Sequence, residues 1–245
     1  MLFAFSPRDY TVHLDRFLRK QAQYSRKTIL QLLSQQQIKV DGIIAKCRDY
    51  PISEFSHIEV SGKIIHSPPL AQYFMLNKPA GYLSATKDDI HPTALELLTG
   101  IETDDLHIAG RLDRATTGLL IITNDGKWSR KLTELKSTEQ QQIAKVYLVN
   151  TAYPISPETP LRFAEGIYFE TEDTTTSPAQ IELVTENSYR LTIYEGRYHQ
   201  VKRMFSAVGN RVVGLHREKV GKIKLDPDLK IGEFRALTDG EIHWL

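Results

Sequence analysis

The sequence predicts an α+β protein in two parts: a small helix-helix-strand unit over residues 1–66 with its core at about 13–62, a linker at 67–72, and a larger domain over 73–245 on a mainly antiparallel, mixed sheet. Three observations point there. Apolar residues recur at helical spacing near the start, two adjacent prolines interrupt the chain at Pro68-Pro69, and past them strand-like runs outnumber helical ones. Several of those runs lie too close together for a helical crossover between every pair, which excludes a purely parallel sheet.

In chain order, Leu14, Phe17 and Leu18, then Ile29, Leu32 and Leu33 after a polar break, carry the i, i+3, i+4 spacing of two short helices. Ser25 stands where an N-cap would open the second, leaving Arg26 and Lys27 exposed in its first turn. Ile38-Lys39-Val40-Asp41-Gly42 alternates apolar and polar residues into an Asp-Gly turn, and Ile58-Glu59-Val60 repeats the alternation, so a hairpin strand and a partner are expected. Residues 1–12 fit no part of this pattern. Adjacent prolines favour extended chain and neither donates to a sheet, which sets a boundary near residue 68. Beyond it, strands are expected at Tyr73 to Leu76, Leu119 to Thr123, Lys145 to Val149, Gln180 to Val184, Arg190 to Tyr194 and Val212 to Leu215. Val201, Met204, Phe205 and Val208 are spaced as the buried stripe of a helix that Gly209 terminates.

Composition narrows the function. With 41% hydrophobic and 25% charged residues in 245, the chain has a real core and no signature of disorder. Its longest central aliphatic run, Leu119 to Ile122, is far too short for a bilayer, and the N-terminus lacks the apolar stretch of a secretory signal, so a cytoplasmic protein is expected, with no membrane partner. Cys47 is the only cysteine, which excludes an internal disulfide and a cysteine zinc site. The net charge of +1 hides clustering: residues 1–66 hold ten Lys/Arg against six Asp/Glu, and residues 195–224 hold eight against two. Local clusters, not the sum, decide an electrostatic footprint. A solvated face explains such a cluster about as well as RNA does.

Two segments carry candidate chemistry. Gly110-Arg111-Leu112-Asp113-Arg114-Ala115-Thr116-Thr117-Gly118 sets one carboxylate in a loop that leads into the apolar run from Leu119 and then the turn Asn124-Asp125-Gly126. A buried strand behind a Gly/Thr loop is a scaffold able to fix Asp113 rigidly. An Asp in such a loop is also commonly a turn residue bonding its own backbone, and the residues alone leave both readings open. Glu195-Gly196-Arg197-Tyr198-His199-Gln200-Val201-Lys202-Arg203-Met204-Phe205 puts Lys202 and Arg203 off the apolar stripe, as cations at a cleft or as ordinary solvated charges.

These segments resemble a known family. The N-terminal helices and strand, in Leu14-Asp15-Arg16-Phe17-Leu18, Ser25-Arg26 and Ile38 to Gly42, are similar to a small RNA-binding domain named after a small-subunit ribosomal protein. Ala109 to Asp113 with Thr116 to Leu120, then Lys145-Val146-Tyr147, then Glu195 to Phe205, then Leu215-His216-Arg217 with Gly221, resemble the ordered motifs of the RsuA family of pseudouridine synthases across residues 73–245. The resemblance implies a curved mixed sheet of two halves with a central cleft. Asp113 then matches the essential aspartate, Tyr147 the aromatic stacking on the target base, and Lys202 the basic residue paired with the aspartate. Arg111 matches an arginine that fills the space left by the flipped nucleotide. Tyr198-His199, where large-subunit members usually carry Asn-Arg, and Leu215 to Glu218 are most similar to members acting on one uridine of 16S ribosomal RNA.

The implied chemistry suits those residues. Isomerisation moves the ribose from a ring nitrogen to a ring carbon of uracil and needs no redox carrier, so no cofactor, nucleotide or metal is expected. It needs an ionised carboxylate in a sheltered site. Burial disfavours that charge, and a cation within roughly 4–6 Å favours it. Flipping a uridine out costs a few kcal/mol, which base–aromatic stacking of roughly 1–3 kcal/mol offsets. Phosphate contacts are expected from Arg16, Arg26, Lys27, Arg203 and Arg217. Attack on the ribose, attack on the ring, and removal of a ribose proton all need the same carboxylate. The partner is ribosomal RNA or a small-subunit assembly intermediate, and a monomer is the default. A large-subunit substrate, or a non-catalytic assembly factor, are the competing readings. Against the latter, a pure binder has no use for a carboxylate facing phosphates. A metal-dependent nuclease is disfavoured because the eight histidines include no i, i+4 pair and no acidic cluster adjoins Asp113.

Overall fold

The computed structural model describes residues 12–20, 24–52, 56–67, 70–133 and 142–245, so residues 1–11 and the expected Pro68-Pro69 joint lie outside the described residues. The chain separates into two compact units, Met1–Ala71 and Gln72–Leu245.

The first unit runs β1 (Val12–His13), α1 (Leu14–Lys20), α2 (Arg26–Ser34), β2 (Ile38–Val40), β3 (Ile43–Ile44), β4 (Pro51–Ile52), β5 (Ile58–Val60) and β6 (Lys63–His66). The backbone N–H of Thr28 donates to Ser25 Oγ at 3.1 Å, so Ser25 is the N-cap that opens α2. Asp41 and Gly42 take φ of 53° and 78°, the positive pair that a tight hairpin between β2 and β3 requires. Leu14, Leu18 and Ile29 of the helices pack on Ile38, Val40, Ile58 and Val60 of a four-stranded antiparallel sheet ordered β3-β2-β5-β6. Alternation marks β2 and β5 in the sequence, and the Asp41-Gly42 turn marks the hairpin that follows β2. Strands β3 and β6 are short and mostly exposed, so no alternation marks them.

In the second unit the elements are β7 (Tyr73–Lys78), β8 (His107–Ala109), β9 (Thr117–Thr123), α3 (Gly126–Thr133), β10 (Lys145–Thr151), α4 (Thr159–Glu165), β11 (Tyr168–Phe169) and β12 (Thr174–Thr175). There follow β13 (Gln180–Thr185), β14 (Ser188–Ile193), α5 (Gln200–Ala207), β15 (Val212–Val220), β16 (Ile223–Lys224), β17 (Phe234–Ala236) and α6 (Asp239–Ile242). Among the described residues a nine-stranded sheet is ordered β13-β14-β10-β15-β9-β7-β17, with β8 on β9 and β16 on β15. Every pairing in it is antiparallel except β9 with β15, which runs parallel at Thr117 to His216 and Gly118 to Arg217. The expected α+β class with a mainly antiparallel mixed sheet is what the chain forms.

Successive strand residues point to opposite faces, and here both faces are covered. Leu120 and Ile122 of β9 join Phe74 and Leu76 in one core, while Leu119 and Ile121 join Met75 and Trp128 in the other. That is why β9 reads as an unbroken apolar run instead of an alternation. Val201, Met204 and Phe205 seat α5 on the first of these cores, with the rings of Phe163 and Phe205 edge to face at 5.2 Å. Gly209, at φ 75°, closes the helix: its N–H donates to Ser206 O, and that of Asn210 to Phe205 O. The segment Asn124-Asp125-Gly126, expected as a turn, instead opens α3, because Asp125 Oδ1 accepts from the N–H groups of Lys127 and Trp128. No helix among the described residues is long and apolar enough to cross a membrane.

Candidate active site

The loop between β8 and β9 carries Asp113, β10 carries Tyr147 and α5 carries Lys202, and one pocket is lined by all three. Lys202 Nζ donates to Asp113 Oδ2 at 2.9 Å. On the other carboxylate oxygen, His199 Nε2 lies 3.5 Å from Oδ1. The Asp113 side chain keeps 28% of its surface, so the carboxylate is sheltered but reachable. Tyr147 is 7% exposed, held between Leu191 of β14 and Arg217 of β15 in the sheet register. Arg111 is exposed and lines the same pocket. Thr116 lines it too, with a buried Oγ1 that has no protein partner.

Two buried cations fix the loop. Lys78 Nζ donates to the carbonyls of Pro79 at 3.0 Å, Asp113 at 3.4 Å, Arg114 at 3.3 Å and Thr116 at 2.9 Å. Arg217 donates through Nε to Leu119 O at 2.8 Å, through Nη2 to Gly110 O at 2.9 Å and through Nη1 to Arg111 O at 3.4 Å. Ser84 Oγ donates to Leu112 O at 2.8 Å and accepts from Leu112 N–H at 3.0 Å. Each carbonyl from Gly110 to Arg114 therefore has a donor, and Asp113 is held through its own backbone. Such fixation is what a reacting group needs.

This overturns one expectation. Arg217 is 2% exposed and spends its guanidinium on carbonyls, so it is a fastener of the Asp113 loop and not a phosphate contact. Arg203 is also engaged: it pairs with Glu172, donates to Thr171 and lies 3.7 Å over the Phe169 ring, so a phosphate would have to displace the carboxylate. Glu172 pairs with Arg197 as well, and Arg197 pairs in turn with buried Glu195, which anchors the turn before α5. Arg16, Arg26 and Lys27 are exposed on the first unit. Lys78 and Ser84 were not singled out by the sequence; His199 was marked, with Tyr198, only as a feature of the small-subunit members and not as a neighbour of Asp113.

Burial pulls the Lys78 ammonium from 10.5 down to about 8, with the Asp113 charge opposing and Arg217 reinforcing the fall. Lys145, likewise buried, also drops to about 8, pushed further by Arg217 and resisted by Glu195. Replacing Lys78 by Met strands its carbonyls and is expected to cost about 1–3 kcal/mol, with reduced turnover because the loop loosens. Below pH 8 folded and unfolded chains both carry the Lys78 proton, and the stability gap between wild type and Lys78→Met is constant. Above it the unfolded chain holds more protons at this position, so the gap widens until about pH 10.5. Urea titrations at pH 7 and 9.5 check this, and a gap that narrows with pH contradicts the burial argument.

The chain resembles known proteins along most of its length. The family described as RNA pseudouridylate synthase matches residues 72–207. A Pseudomonas aeruginosa protein named ribosomal small subunit pseudouridine synthase A is 44% identical over 231 residues, covering 94% of this chain and 99% of the relative. Proteins of the same name from Yersinia pestis and Escherichia coli are each 42% identical over 231 residues, covering 94% of this chain and 97% and 98% of theirs. A crystal structure described as a pseudouridylate synthase aligns with a TM-score of 0.67 at 39% identity, covering 94% of this chain and 98% of that one.

Proposed function

The chain belongs to the RNA pseudouridylate synthase family, and on that premise we propose that it isomerises one uridine of 16S ribosomal RNA to pseudouridine, with Asp113 as the catalytic carboxylate. The substrate follows from the relatives, which are named small-subunit enzymes over nearly their full length. The observation that carries the site is the 2.9 Å contact of Lys202 with Asp113 in a pocket walled by Tyr147.

The reaction breaks the bond from ribose to a ring nitrogen and makes one from ribose to a ring carbon. The hydrogen on that carbon leaves and the freed nitrogen takes one, so nothing is gained or lost. Asp113 supplies the negative group beside the sugar, and Lys202, donating to it at 2.9 Å, holds it in place. Tyr147 stacks on the extruded base, offsetting part of the flipping cost. Arg111 stands at the exposed edge, suited to the gap in the RNA helix. The first unit, with Arg16, Arg26 and Lys27 on its helices, grips structured RNA through phosphates, which makes affinity fall steeply with salt. We take the protein as cytoplasmic, where ribosomes are assembled, and as a monomer.

Purified protein incubated with unmodified 16S rRNA, without added metal or nucleotide, is expected to yield one new pseudouridine, mapped by chemical labelling and primer stops. Product in large-subunit RNA instead rejects the substrate. Tight binding with no isomerisation favours an assembly factor.

A further inference from the structure

Next to His199, which lines the pocket, an exposed aromatic stands where a surface chain would ordinarily be free to turn. Tyr198 is 76% exposed, yet its ring stacks on that of His199 with centroids 3.9 Å apart and planes 21° from parallel. His199 in turn lies 3.5 Å from Asp113. The series Tyr198, His199, Asp113 therefore runs from solvent to the catalytic carboxylate.

The backbone beneath is fixed. His199 takes φ of 49°, a left-handed conformation that a non-glycine residue holds only when its surroundings impose it. Arg203 Nη1 donates to Tyr198 O at 3.2 Å, the N–H of Arg203 donates to His199 O at 3.0 Å, and Arg197 N–H donates to Gln200 Oε1 at 3.0 Å. With one face of Tyr198 on His199 and most of the side chain in solvent, the other face is open. A pre-fixed ring of this kind accepts a planar partner at little further ordering cost.

We propose that Tyr198 and His199 form a second, shallower subsite, a stacking shelf for the nucleobase adjoining the uridine that enters the Asp113 pocket. The inference rests on the pseudouridine synthase reading above. Flipping one nucleotide removes a stacking partner from its neighbour, and a shelf beside the entry supplies a replacement. Every base has a π-face, so the shelf adds affinity and fixes strand position without reading a base edge.

Two readouts with a 16S rRNA transcript test this: the steady-state constants of isomerisation, and Kd by filter binding. Tyr198→Ala is expected to raise KM and Kd about tenfold with a much smaller change in kcat. Tyr198→Phe and Tyr198→Trp restore the wild-type KM, because the ring and not the hydroxyl stacks. Unchanged KM and Kd in Tyr198→Ala, a Phe variant as impaired as the Ala variant, or a loss carried by kcat alone each overturn the shelf. Should the wild type bind without isomerising while Tyr198→Ala still weakens Kd tenfold and Phe restores it, the shelf stands as a base-stacking site and the catalytic reading falls.

Discussion

Asp113→Asn is expected to abolish pseudouridine formation, with turnover down by roughly 10⁴-fold or more, the upper end of what a positioned acid–base or nucleophilic group contributes. The amide matches the carboxylate in shape, and the loop stays tied through its carbonyls to Lys78, Ser84 and Arg217. The fold should therefore survive. What goes is the charge, and with it the anionic partner of Lys202 at 2.9 Å and of His199 at 3.5 Å. RNA affinity is expected to stay within about tenfold of wild type, since phosphates carry most of it, and losing an anion beside the RNA tends to tighten binding. Single-turnover kinetics with saturating enzyme, beside a filter-binding curve, separate the two quantities. Turnover within tenfold of wild type would remove Asp113 from the chemistry, and a matching collapse of affinity would make it a binding group instead.

The contrast between that side chain and its neighbours explains what the sequence could and could not disclose. Strand β9 was legible because Leu119 to Ile122 are apolar on both faces, and α5 because Val201, Met204 and Phe205 keep helical spacing on one buried side. The whole of β15 was not. Its charged stretch from His216 to Lys219 breaks any apolar pattern, so only Val212 to Leu215 registered from a strand that runs to Val220. Arg217 was misread for a related reason. Charged side chains are almost never fully buried without a partner, and its partners are backbone carbonyls contributed by residues about a hundred positions away, which no side-chain pattern encodes. Lys78 escaped notice the same way. Asp113 itself became a catalytic candidate only through resemblance to a family, because a loop Asp between glycines and threonines has an ordinary turn chemistry open to it.

Gly118→Ala is expected to be strongly damaging, lowering stability by about 3 kcal/mol or more and Tm by about 6–12 °C. Gly118 has φ of 97°, and a Cβ there would fall 2.4 Å from Arg217 O and 2.8 Å from Arg217 N. Those atoms are main chain, so no rotamer change relieves the contact. The site is also the parallel seam between β9 and β15, where Gly118 faces Arg217 directly. Relief requires the two strands to part, which shifts Arg217 and slackens the carbonyls of Gly110 and Arg111 that it holds. Turnover should therefore fall even in the fraction that stays folded, whereas a purely local strain would lower stability alone. Gly240→Ala, where the added methyl meets nothing within 4 Å, serves as the reference and should be neutral or slightly stabilising. Equal melting temperatures for the two variants would mean that the strands are not pressed together at this seam, and that the loop bearing Asp113 is positioned by something other than the close approach a glycine permits.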